Sequence, residues 1–61
     1  MNQFEFQVGD KVEKHTGDYK IEGVVAGHAV TLKGNVRYVV EHHPVAPGLL
    51  HIYSAANLRK I

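Results

Sequence analysis

The chain has 61 residues, enough for one small domain, and a domain of that size buries only about 60% of its unfolded surface. Seven Lys+Arg against six Asp+Glu give a net charge of +1 with histidine neutral, too balanced to mark a nucleic-acid binder, and the lack of cysteine removes disulfides and thiolate metal sites. No apolar run approaches the roughly 20 residues that cross a membrane, and Met1-Asn2-Gln3-Phe4-Glu5 lacks the basic start and apolar core of a signal peptide, so a cytoplasmic protein is expected.

Met1 to Gln7 read as an arm in which Phe4 and Phe6 alternate as apolar anchors, for the domain itself or for a neighbour, and the domain proper spans residues 8–61. Gly9-Asp10 turns the chain into a first strand, Lys11-Val12-Glu13-Lys14, that begins in the core at Val12 and reaches the rim at Lys14. Thr16-Gly17-Asp18 is a loop, and Tyr19-Lys20-Ile21 leads into a long β-branched second strand, Gly23 to Leu32, where Gly23 and Gly27 suggest bends or bulges. Lys33-Gly34-Asn35 forms a tight turn. Val36 to Glu41 is the clearest strand, with Val36, Tyr38 and Val40 on one face.

An irregular loop, His42 to Gly48, holds both prolines and delivers the chain to Leu49-Leu50-His51-Ile52-Tyr53. Leu50 and Ile52 share a purely apolar face, expected to point into the core; His51 and Tyr53 share the other, which pairs an imidazole with a phenol. Ser54 is placed to cap one helical turn that buries Leu58, and Arg59-Lys60-Ile61 ends the chain as a short strand. Five short strands and one helical turn before the last describe an all-β, five-stranded SH3-like barrel. A barrel this small has little room for an enclosed ligand pocket of roughly 300–1,000 Å³, so an enzyme site is expected between subunits.

Gly9-Asp10-Lys11-Val12-Glu13-Lys14, Gly23-Val24-Val25-Ala26-Gly27, Tyr38-Val39-Val40-Glu41, Leu50-His51-Ile52-Tyr53 and the turn at Ala56 and Leu58 follow one another in an order that resembles the plasmid-borne type II dihydrofolate reductases. That family runs Gly-Asp-Arg-Val-Arg-Lys, Gly-x-Ile-Val-Gly, Tyr-Ala-Val-Glu and Val-Gln-Ile-Tyr, then an Ala-Ala-Leu turn. The likeness extends from about Phe6 to Ile61, with single-residue length differences between Gly17 and Gly23 and between Glu41 and Gly48. It implies a homotetramer whose central pore binds NADPH and dihydrofolate and confers trimethoprim resistance. Carried over by position, it implies that Lys14 meets anionic tails, that Leu50, His51, Ile52 and Tyr53 line the cofactor site, and that His51 and Tyr53 serve the reaction. His51 stands where the family has Gln, Leu49 where it has Ser and Ser54 where it has Pro; the family's Trp before the second strand is matched only by Tyr19, Lys20 or Ile21.

Hydride transfer to a pterin asks the protein mainly for proximity and orientation, since the cofactor carries the hard chemistry. His51 can donate, accept and stack as a Gln amide does, and with an ordinary pKa of about 6.5 it can also carry charge toward an anionic ligand. Taken alone, His51 and Tyr53 are equally an ordinary polar strand face, and Lys14 an ordinary solvated lysine.

Two other readings accompany this one. The framework also resembles small bacterial and phage proteins of unassigned role that share Arg37-Tyr38-Val39-Val40-Glu41 and a Leu-Leu-His-Ile-like strand, so a non-catalytic protein- or RNA-interaction module of phage or mobile-element origin is the alternative. The Gly9-Asp10-Lys11-Val12 opening further resembles KOW barrels, which would bind RNA near Lys14, His15 and Lys20; no aromatic platform with clustered basic residues accompanies it. The adjacent His42 and His43 point apart in an extended segment and make a poor metal pair, so no metal is expected, and they and His28 are expected at surfaces or subunit contacts.

Overall fold

The computed structural model describes residues 4–61; Met1 to Gln3, the start of the expected arm, lie outside the described residues. The alternating segments become β1 (Lys11–Lys14), β2 (Ile21–Val30), β3 (Val36–Glu41), β4 (Leu50–Tyr53) and β5 (Leu58–Lys60), with one 3-10 turn, Ala55–Asn57, before the last strand. All pair antiparallel in one sheet of order β4-β3-β2-β1-β5. The fold is all-β, with the strand complement and the single turn expected of a small SH3-like barrel. Boundaries differ slightly from the sequence reading: β2 runs from Ile21 to Val30 rather than from Gly23 to Leu32, and β5 starts at Leu58.

The long strand β2 shapes the sheet. Its first part pairs with β1 and its second with β3, and Val24 is opposite both Lys11 and Glu41. The expected bulge is present as a register shift between Val25 and Gly27, which leaves Ala26 extra and lets the strand bend. Gly23 plays a different part. A Cβ there would lie 2.6 Å from the Glu41 carbonyl oxygen, 2.6 Å from Val40 Cγ1 and 3.2 Å from His42 Nδ1. The missing side chain is therefore what lets the end of β3 and the His42 ring close over β2.

Phe6, Val12, Val25, Tyr38, Val40, Tyr53 and Leu58 form the core. Phe6, from the expected arm, is 3% exposed and meets Tyr38 edge-on at 5.2 Å between ring centroids. Phe4 stacks on His28 at 3.9 Å, and His28 Nε2 donates to the Phe6 carbonyl at 2.7 Å. Of the two anchoring options, the described part of the arm takes the domain's own core.

Ser54 occupies the N-cap position of the 3-10 turn, but its hydroxyl makes no cap bond; it accepts from Asn57 Nδ2 at 3.0 Å. Leu58 is buried as expected and fastens β5 to β1. Arg59–Glu13 (2.8 Å) and Lys60–Asp10 (3.4 Å) add surface ion pairs along that seam. Exposed pairs of this kind contribute little, so the apolar anchor dominates.

Candidate functional site on the fourth strand

The register of β4 against β3 decides which side chains face where. Tyr53 lies opposite Tyr38 and His51 opposite Val40, while Ile52 lies opposite Val39 and Leu50 opposite Glu41. Tyr38 and Val40 are buried, so His51 and Tyr53 share the inner face. The expectation that Leu50 and Ile52 fill the core is overturned: they are 54% and 63% exposed, and Tyr53 is 9% exposed. Pairing with β3 fixes the parity of the whole strand. The aromatic ring of Tyr53 supplies core volume, and its hydroxyl finds two hydrogen-bond partners, which removes the penalty of enclosing it.

Those partners are histidines. His42, expected at a surface or subunit contact, is instead fully buried within the single chain. Its Nδ1 lies 3.1 Å from the Glu22 carbonyl oxygen, and its Nε2 lies 2.8 Å from the Tyr53 hydroxyl. His51 Nδ1 lies 3.1 Å from the same hydroxyl, and the two imidazoles are 5.2 Å apart between centroids. His43 is exposed, so the neighbouring histidines do point apart. The sequence held a signal for His42. The inward alternation of Tyr38 and Val40 extends by two residues to His42, and Gly23 is the small residue that makes room for it. Burial pushes the Tyr53 phenol above its ordinary value, and the nearby Tyr19 adds to the shift.

Lys14 turns its ammonium into its own loop. It donates to the Thr16 and Tyr19 carbonyls, and Nζ lies 4.2 Å from the centroid of the Tyr19 ring. The loop is held in turn by a hydrogen bond between the side chains of Thr16 and Asn57. The site candidates thus divide. His51 and Tyr53 meet inside the curve of the sheet, with Tyr19 as the link toward Lys14; Leu50 and Ile52 face outward.

On the outer face, Ile52 and Leu50 continue a surface begun by Val39, with the small residues Gly27 and Ala29 in register on β2. This ledge is apolar at Val39, Leu50 and Ile52, is flanked on β3 by Arg37 and Glu41, and lies along an edge strand. A flat ring can rest on it, but one chain supplies no opposing wall. A concavity of about 710 Å³ is lined by Lys11, Glu22, Val24, His43, Pro44 and Ile61 and includes none of the candidate residues. For a dinucleotide cofactor, the residues present therefore fit one side of a site, and a second copy of the ledge would have to supply the other.

No helix among the described residues is long and apolar enough to cross a membrane. No protein-family model matches the chain, and no curated protein matches it significantly.

Proposed function

We propose that this chain is one subunit of a homotetramer that reduces dihydrofolate with NADPH in a site shared between copies, and so confers resistance to trimethoprim. The observation that supports it is the outward ledge of Leu50 and Ile52, with the exposed His51 between them on the opposite face of the same edge strand. A side chain that lines a pore between subunits must be exposed in the single chain, and Ile52 is. On this reading NADPH supplies the hydride. Leu50 and Ile52 provide an apolar surface for flat rings, His51 provides a polar group that can hold a proton, and Tyr53 orients His51 through their shared hydrogen bond. Lys14 meets an anionic tail only after its ammonium leaves the Thr16 and Tyr19 carbonyls. The work belongs in the cytoplasm, where NADPH and folates are available.

The test is direct. Purified protein should oxidise NADPH only when dihydrofolate is present, trimethoprim should inhibit poorly, and Ile52→Ala should weaken turnover. Absence of dihydrofolate-dependent turnover at high protein concentration overturns the proposal.

A second reading, a non-catalytic interaction module, is favoured by two contacts: the Tyr53 hydroxyl is already occupied by two histidines, and the Lys14 ammonium by its own loop. That module would use the same ledge against a protein partner and would show no cofactor-dependent activity.

A further inference from the structure

We infer that His42, Tyr53 and His51 form a hydrogen-bonded relay with a fixed direction, which leaves the solvent-facing Nε2 of His51 as a proton-accepting site. The direction is set at the buried end of the relay. The Glu22 carbonyl can only accept, so His42 Nδ1, 3.1 Å away, must carry a hydrogen. In a neutral ring His42 Nε2 is then an acceptor, and the Tyr53 hydroxyl 2.8 Å away donates to it. With its one hydrogen committed, the Tyr53 oxygen accepts from His51 Nδ1 at 3.1 Å. His51 therefore carries its hydrogen on Nδ1, and its other nitrogen presents a lone pair to solvent on an exposed residue. The opposite direction would make His42 Nδ1 face the Glu22 carbonyl acceptor to acceptor.

The relay also fixes how many protons the site takes. A proton added at His51 Nε2 leaves every bond of the chain intact and sits on the exposed ring, where water solvates it. A second proton, on His42 Nε2, would aim two N–H groups at the Tyr53 oxygen, strand the hydroxyl hydrogen, and enclose a charge without a counter-ion. Among the described residues, the hydrogen-bond partners of His42 are neutral, the Glu22 carbonyl and the Tyr53 hydroxyl. From β2 comes the Glu22 backbone carbonyl, with the Glu22 side chain exposed. From the end of β3, Glu41 spends a carboxylate oxygen on the Gly48 N–H. From the following loop, His43 is exposed; from β4 come Tyr53 and His51 themselves, and Tyr19 approaches Tyr53 as a second phenol.

Long-range nitrogen–proton NMR correlations on the full chain distinguish the tautomers of each imidazole. At pH about 8, above the ordinary histidine range, both His42 and His51 should show the hydrogen on Nδ1, although a free imidazole in water favours Nε2. Tyr53→Phe should return His51 to the Nε2–H form and leave His42, still bonded to the Glu22 carbonyl, as it was. Should Tyr53→Phe not fold, the wild-type spectra decide alone. An Nε2–H pattern at either His51 or His42 in the wild type overturns the inference.

Discussion

Gly23 shows how one missing side chain organises its surroundings. Its inward position is shared with Val40 and His42, and the nearest obstacle to a Cβ includes backbone, the Glu41 carbonyl, which has no freedom to swing aside. Gly23→Ala should therefore destabilise the fold by about 1–3 kcal/mol, the range of an overpacked core, read as a lower urea midpoint. At the opposite rim, Asp10 Oδ2 accepts from the Gln7 N–H at 2.9 Å, and this bond, helped by Lys60, holds its carboxyl below the ordinary range. A depressed carboxyl stabilises the fold above its unfolded pKa of about 4 and loses that contribution as pH falls through its folded value. The stability of Asp10→Asn should accordingly vary less with pH in that acid range than the wild type's. An identical pH profile would show that the Gln7 contact is not populated in solution.

Within β4 the two faces serve different ends. Inward, Tyr53 fills the core and ties down two histidines; outward, Leu50 and Ile52 remain uncovered on an edge strand. Edge strands usually carry charge or proline that discourages association, and the outer face of this one is apolar. Ile52→Lys should leave the fold intact, because the residue is already largely in water, and should shift the sedimentation coefficient toward the single chain. An unchanged coefficient would remove this face from any self-contact. The alternation of β4 was plain in the sequence, but its parity was not. An apolar pair, Leu50 and Ile52, competes with a pair containing a large aromatic, Tyr53, and composition alone favours the first. What decides is the register against β3, a long-range pairing that no local pattern reveals.

At the scale of the whole molecule, the succession of strands and turns along the chain was legible because alternation and glycines mark it locally, as at Val36 to Glu41 and at Lys33-Gly34-Asn35. The contribution of the arm was only half legible. Phe4 and Phe6 were visible as anchors, yet Phe6 lies in the centre of the core, edge-on to Tyr38. Phe6→Ala should cost about 3–5 kcal/mol, comparable to the entire stability of a domain this small. Calorimetry should show a greatly lowered or absent transition. The site was least legible, since Glu22 and Tyr53 come from two separate strands and His42 from the loop that follows β3.

The seam between β1 and β5 also has a consequence in time. Glu13 and Arg59, paired across it, are separated by nearly the whole chain, whereas β2, β3 and β4 pair with near neighbours in sequence. Closing the longest loop carries the largest entropy penalty and gains nothing until the ends meet, so the β2–β3–β4 meander should assemble first and β5 should dock late. Leu58→Ala should then accelerate unfolding several-fold while leaving the refolding rate nearly unchanged, and Val40→Ala should slow refolding. If both substitutions slow refolding equally, the ends of the chain are already joined in the transition state.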